Sequence, residues 1–333
     1  MIKSYFILLA FIISSIAGWS QANKENIISN GKPIATLYAN VYSGLNMGDN
    51  PTGFVLRRAY LGYQFDLKEN FSAKIVLDIG SPNDVSDELL KKRFAYFKYA
   101  LVQYEKGKIK TCFGIIPTTL FKVQEKIWGH RYIAKTVTDA QKMGSSADLG
   151  AAIHYAAFNA VSFDLAITNG EGYSSIQKDG SFKLALGTTI KPIKGLTYRA
   201  YADYTEKAAS QITLLNFLSY NWKKKLNLSF EISKQYNYQF INNQDLTVWS
   251  VFASFNMTKK WQLFGRFDQV SSNVTEAMIL PWHDAKDGSY SLLGVQFIPH
   301  KNIKLAIDYK IWTPPSLTIN NEQFIYFNVM LKI

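Results

Sequence analysis

The sequence predicts an all-β fold: a transmembrane antiparallel β-barrel of about 16 strands, with short periplasmic turns and long extracellular loops. Three observations predict it. Short segments with apolar residues at every second position fill the chain. The connections between them are by turns tiny and long. Beyond the N-terminal segment, no run is apolar for the length that a membrane helix needs. The tiny connections include Lys68-Glu69-Asn70, Glu105-Lys106-Gly107, Phe158-Asn159-Ala160, Lys223-Lys224-Lys225 and Thr258-Lys259-Lys260. The long ones include Gly80 to Arg93, Pro117 to Asp148 and Ser271 to Gly288. Such a barrel can cross lipid because closure pairs every backbone N–H and C=O.

The N-terminus reads as an export address. Met1-Ile2-Lys3 carries positive charge, Tyr5 to Ile16 is apolar, and Ser20-Gln21-Ala22 offers small residues for cleavage. The apolar stretch is too short to cross a hydrocarbon core of about 30 Å. Residues 1–22 are therefore expected to be a cleaved secretory signal, and 23–333 a single barrel domain in the outer membrane. Cys112 is the sole cysteine, so no intramolecular disulfide can form. Hydrophobic residues make up 47% and aromatics 15%, as alternating lipid-facing residues and interfacial girdles require.

Strands are expected over 34–42, 54–67, 71–79, 94–104, 108–116, 149–156, 161–168 and 182–190. They continue over 196–204, 212–222, 226–234, 246–257, 261–269, 290–298, 303–311 and 323–333. The last is the clearest: Ile325, Phe327, Val329, Leu331 and Ile333 share one apolar face. Further lipid faces are Ala59, Leu61, Tyr63 and Phe65; Ala73, Ile75 and Leu77; Phe163, Leu165 and Ile167; and Trp249, Val251, Ala253 and Phe255. The opposite faces carry Arg58, Lys74, Asp78, Lys98, Lys110, Asp164, Lys183, Arg199, Asp203, Glu231, Arg266, Asp268, Lys304 and Asp308. A charge facing lipid at the bilayer midplane costs about 2–4 kcal/mol, so these are expected in an aqueous lumen. A barrel of this size encloses a channel rather than a packed interior.

The net charge of +12 does not argue for nucleic acid. Much of the excess sits in the short turns, at Lys68, Lys106, Lys108, Lys191, Lys194, Lys223, Lys224, Lys225, Lys259, Lys260 and Lys301, as a solvated rim beside lipid headgroups. The lumen set is mixed, with a modest cationic excess that predicts a mild anion bias.

The Pro117 to Asp148 loop is the candidate constriction. It carries Lys122, Lys126, His130, Arg131, Lys135 and Lys142 against Glu125 and Asp139, while Ile127, Trp128 and Tyr132 need something to pack on. An inward fold is expected; an outward cap or partner surface is the alternative. The pore-lining and constriction candidates are thus Arg58, Lys74, Lys98, Lys110, Lys122, Lys126, Arg131, Arg199 and Arg266. An enzyme needs a constellation, and none appears. His130, His154, His283 and His300 are scattered, and there is no Gly-x-Ser-x-Gly, metal spacing or cofactor motif.

Several motifs resemble the phosphate-selective porin O and P family. Arg57-Arg58-Ala59-Tyr60-Leu61-Gly62 is similar to its early Arg-Arg-Ala strand. Phe113-Gly114-Ile115-Ile116-Pro117 resembles its strand entering the third loop. Ile167-Thr168-Asn169-Gly170-Glu171-Gly172 resembles its Asn-Gly corner, and Phe264-Gly265-Arg266-Phe267-Asp268 a late strand. The resemblance implies a 16-stranded, often trimeric porin whose third loop narrows the channel. The arginine ladder of the phosphate-specific members is absent: Arg57, Arg58, Arg93, Arg131, Arg199 and Arg266 are scattered. The expected function is passive diffusion of small hydrophilic solutes with mild anion preference. The alternative is a non-conducting barrel serving as a subunit of an outer-membrane assembly. Expected partners are the lipid bilayer, lipopolysaccharide, small anionic solutes, and further copies in a homotrimer or other outer-membrane subunits.

Overall fold

The computed structural model describes residues 28–46, 50–80, 94–276, 278–315 and 320–333. The expected leader at 1–22 and the 81–93 part of the Gly80 to Arg93 connection lie outside the described residues.

Alternation of apolar and polar side chains produces 16 strands. They are β1 (Ile28–Leu45), β2 (Thr52–Leu67), β3 (Phe71–Gly80), β4 (Ala95–Lys106), β5 (Ile109–Pro117), β6 (Ala147–Phe158), β7 (Val161–Thr168) and β8 (Lys183–Ile190). The second half is β9 (Leu196–Glu206), β10 (Ser210–Trp222), β11 (Leu226–Tyr236), β12 (Leu246–Asn256), β13 (Trp261–Ser272), β14 (Gly288–His300), β15 (Ile303–Thr313) and β16 (Glu322–Lys332). Each pairs antiparallel with its sequence neighbours. β1 closes on β16 from Thr36 opposite Lys332 to Leu45 opposite Gln323, so no sheet edge remains.

Strand β10 shows why the sequence folds this way. Ile212, Leu214, Leu218 and Tyr220 stand exposed on the outer face, while Gln211, Thr213 and Ser219 are buried inside. Leu61, Ile75, Phe113, Leu165, Leu293, Ile307 and Phe327 extend the apolar outer belt around the barrel. A belt of this kind is stable against hydrocarbon and not against water, which places the barrel in a membrane.

Of the register shifts in the sheet, two re-aim cationic side chains. Tyr38 of β1 is opposite Arg58 and Ala39 is opposite Leu56, so Arg57 is an extra residue in β2. Val76 of β3 is opposite Tyr99 and Leu77 is opposite Phe97, so Lys98 is an extra residue in β4. Each β-bulge lets two successive side chains face inward. Without the first, Arg57 or Arg58 would have to face lipid.

The interior is not the open channel that strand count alone predicts. The tract between β5 and β6 folds inward. Its Leu120, Phe121, Trp128 and Ile133 share a buried cluster with Phe217, Phe252, Phe264 and Leu292 on the inner wall. A second cluster joins Val137 and Met143 to Tyr238, Leu246, Val248 and Val270. The barrel is therefore part packed core and part lumen.

Candidate functional site

The inward tract contains two helical turns, α1 (Lys122–Trp128) and α2 (Val137–Ala140). Gly129 ends α1 at φ 68°, and its N–H donates to Glu125 O at 3.0 Å. That left-handed position lets the chain turn back along the wall, and favours glycine. Trp128 then lies edge-on to Phe252, with ring centroids 5.1 Å apart. Its Nε1–H donates to Ala134 O at 3.0 Å, closing the turn on itself.

An inward loop carries backbone carbonyls that β-pairing cannot satisfy, and the wall supplies their donors. Arg199 Nη2 donates to Thr119 O at 2.7 Å, Lys310 Nζ to Ile133 O at 2.9 Å and Gln235 Nε2 to Met143 O at 2.8 Å. Lys304 Nζ reaches Gly129 O at 3.3 Å, Tyr238 Oη donates to Gln141 O at 3.0 Å, and Arg266 donates to Lys135 O. Side-chain bonds complete the docking. Tyr132 Oη donates to Gln296 Oε1 at 2.9 Å, His130 Nε2 is 2.9 Å from Gln262 Oε1, and Thr138 donates to Glu231. The loop is thus tied to strands from β9 to β15. Burial pushes His130 down to about 4, and nearby Lys304 acts in the same direction. Burial opposes the charge of Arg131, but Asp139, Tyr60 and Glu125 outweigh it and raise its pKa.

The nine candidate cations occupy different settings. Arg58 faces the lumen, 3.3 Å from Asp78. Lys74 lies over the Tyr99 ring at 4.8 Å. Lys98 is buried, donates to Ser146 Oγ and sits 4.0 Å from the Tyr173 ring centroid. Lys110 pairs with Glu105 at 3.4 Å. Lys122 and Lys126 are exposed on α1, away from the packed wall. Arg131 is held by Glu125 and Asp139, each at 3.1 Å. Arg199 and Arg266 are among the most deeply set of the nine. They face inward but are only 1% and 6% exposed. Arg199 forks onto Asp164 at 2.7 and 2.9 Å, Arg266 onto Asp268, and both then hold the loop. Their charge is neutralised within the wall.

Sequence reasoning missed the apolar inner surface that receives the loop. The signal was present as adjacent apolar pairs, Leu214-Leu215, Phe217-Leu218 and Leu292-Leu293, in strands that should alternate. It also missed Lys310, Gln262 and Gln296, whose partners come from distant segments.

Space remains on both sides of the loop. A cavity of about 660 Å³ separates α1 from the short-turn rim, bordered by Lys126, Lys191, Lys194, Lys224 and Lys225. Cavities of about 390 and 420 Å³ lie toward the long-loop rim. Among the described residues, no group of three His, Cys, Asp or Glu is arranged to hold a metal.

No family model matches the chain, and no curated protein is similar to it in sequence. Solved structures do match its fold. Salmonella typhi OmpF, in complex with daunomycin, superposes with a TM-score of 0.68 at 9% identity, covering 93% of this chain and 99% of that one. An anion-selective porin from Comamonas acidovorans gives a TM-score of 0.65 at 10% identity over 91% of this chain and 99% of that one. Pseudomonas putida OprB gives 0.63 at 10% identity over 91% and 94%. The fold is that of outer-membrane porins. At this identity the likeness is one of fold alone, and the narrower resemblance to the O and P family finds no match of its own.

Proposed function

We propose that this barrel is an outer-membrane diffusion channel for small hydrophilic solutes, with a mild preference for anions. The observation that carries the reading is the third loop. It is docked inside a closed barrel, yet it leaves water-sized space beside it in which exposed cations outnumber acids. Lys126 borders that space from α1 and Lys122 is exposed on the same helix, whereas Asp78, Asp139, Asp164, Asp268 and Asp308 are each within an ion pair. Fixed charge at a narrowing selects ions of opposite sign. Export through the leader at 1–22, contact with lipid and lipopolysaccharide, and assembly as a homotrimer belong to the same reading.

The test is the reversal potential in planar bilayers under a KCl gradient. Wild type should be weakly anion-selective, and Lys122→Glu with Lys126→Glu should move the potential toward cation preference. Arg131 is left out of the variant because Glu125 and Asp139 would lose their partner. An unchanged potential would place α1 away from the ion path.

A second reading is a non-conducting subunit of an outer-membrane assembly. The apolar packing of the loop across the inner wall favours it. Complete absence of single-channel events in the folded wild type would decide for it.

A further inference from the structure

A cavity of about 420 Å³ lies between the third loop and the wall of β2–β4. Its lining includes five cationic side chains, Arg58, Lys98, Arg131, Lys135 and Lys142, against one acidic one, Asp139, and Asp78 lies behind Arg58. Both acids are already engaged. Arg58 is 3.3 Å from Asp78, and Tyr173 Oη donates to the same carboxylate at 2.7 Å. Arg131 and Lys135 hold Asp139 at 3.1 and 3.6 Å. That leaves Lys98. It is 6% exposed, borders the cavity, and has no carboxylate within ion-pair distance among the described residues; its polar partner is the neutral hydroxyl of Ser146. A buried ammonium without an anion is costly, and such groups are normally paired. Lys98 is also the extra residue of the β4 bulge, so the strand breaks its alternation to place this side chain inward. Bulges that re-aim a side chain recur next to functional sites.

The rest of the lining is aromatic. Tyr60, Phe94, Tyr96 and Tyr173 border the same space. Phe94 and Tyr96 are ring neighbours, with centroids 6.4 Å apart, and Tyr96 is exposed. An inorganic anion would satisfy Lys98 and leave these rings without contact. A flat organic body would cover them, because aromatic faces supply area and orientation at a ligand site.

We infer that this cavity binds a small carboxylate carried on a ring, with the carboxylate at Lys98 and the ring against Tyr60 and Tyr96. The inference deepens the channel reading, since the site then lies on the route beside the loop, but binding does not depend on conduction. The position of the cations sets the polarity of entry: the carboxylate seeks Lys98, while the ring faces Tyr96 and the long-loop rim.

The test uses the folded full barrel in detergent, titrated calorimetrically with sodium benzoate, sodium acetate and inorganic phosphate, alongside block of KCl current in planar bilayers. Benzoate should bind at least tenfold more tightly than acetate or phosphate. Lys98→Met should weaken benzoate about tenfold or more. Tyr96→Leu, at an exposed position that leaves the wall intact, should weaken benzoate several-fold and leave acetate unchanged. Heat-modifiable migration on gels verifies that each variant is folded, and Tyr96→Leu keeps the test open if Lys98→Met does not fold. Benzoate binding by a barrel that shows no conductance would support the site while removing the channel reading. Normal conductance with equal, weak responses to all three anions would overturn the site. Preference for phosphate, lost in Lys98→Met and untouched by Tyr96→Leu, would overturn the ring-bearing class.

Discussion

Gly187 leaves the space that Arg199 occupies. A Cβ at Gly187 would stand 2.4 Å from Arg199 Nη2 and 2.6 Å from Asp164 Oδ1, inside the pair that holds the start of the third loop. Gly187→Ala should therefore cost about 1–3 kcal/mol through overpacking, and free the loop at Thr119. The midpoint of heat-modifiable unfolding reports the first effect. Hydrogen exchange across 118–122 reports the second, and no change in either would mean that Arg199 has another way to reach its partners. His130 gives the residue scale a pH dependence. Its docked pKa is about 4, below the ordinary 6.5. The undocked loop therefore binds the proton more readily. Docking is at full strength above about pH 6.5 and weakens as pH falls through the window to about 4, by roughly 3 kcal/mol in all. Hydrogen exchange over 120–146, corrected for intrinsic rates, should rise between pH 7 and pH 4.5. His130→Gln should flatten that rise; a wild-type loop equally protected at both values would remove His130 as the cause.

At the scale of elements, the strands were legible because lipid outside and water inside force a period of two on every segment. The expected strands over 161–168 and 226–234 differ from β7 and β11 by two residues or fewer at either end. The bulges were not legible. Arg57-Arg58 and Lys98-Tyr99 read as ordinary neighbours, and which member is extra depends on the partner strand. The inward course of the third loop was legible from Trp128, Tyr132 and Ile127, which would have been costly to leave in water. Its anchors were not, because Arg266 and Lys310 reach loop carbonyls more than a hundred residues away in sequence. The partners of Arg199 and Arg266 were hidden for the same reason: a lumen-facing arginine in the sequence does not show which carboxylate and carbonyl it will meet. Trp128 is the main apolar anchor of α1, packed on Phe252 and Phe264 and only 2% exposed. Trp128→Ala should weaken docking by about 3–5 kcal/mol. Single-channel conductance should increase and become noisier as α1 leaves the wall. Conductance identical to wild type would show that the loop is held by its polar ties alone.

For the whole molecule, charge is distributed unevenly along the barrel axis. Toward the long-loop rim most cations are matched: Arg58 with Asp78, Lys183 with Asp203, Lys207 with Glu171, and Lys310 with Asp308. On the other side of the loop, Lys74, Lys122, Lys126, Lys304 and Lys332 make no ion pair among the described residues, and the lysine-rich turns lie beyond them. Like charges there raise one another's potential, and the carboxylates of Glu105 and Asp66 are taken up by Lys110 and Lys32. Anions should therefore concentrate at the short-turn mouth more than at the other, and a channel with unequal mouths passes unequal current in the two directions. The asymmetry must depend on salt. The screening length is about 10 Å at 0.1 M and about 3 Å at 1 M, so mouth charges act on the pore only in dilute solution. Single channels should rectify in about 0.1 M KCl and become ohmic near 1 M. Lys122→Gln with Lys126→Gln should cut the low-salt rectification by about half while leaving high-salt conductance unchanged, because neutral glutamines keep the volume of α1 and remove only its charge. Random insertion alters the sign from one channel to the next but not the magnitude, so each channel is its own control. Symmetric currents at low salt, in a pore that is still anion-selective, would locate the selecting charge within the loop plane instead of at the short-turn mouth.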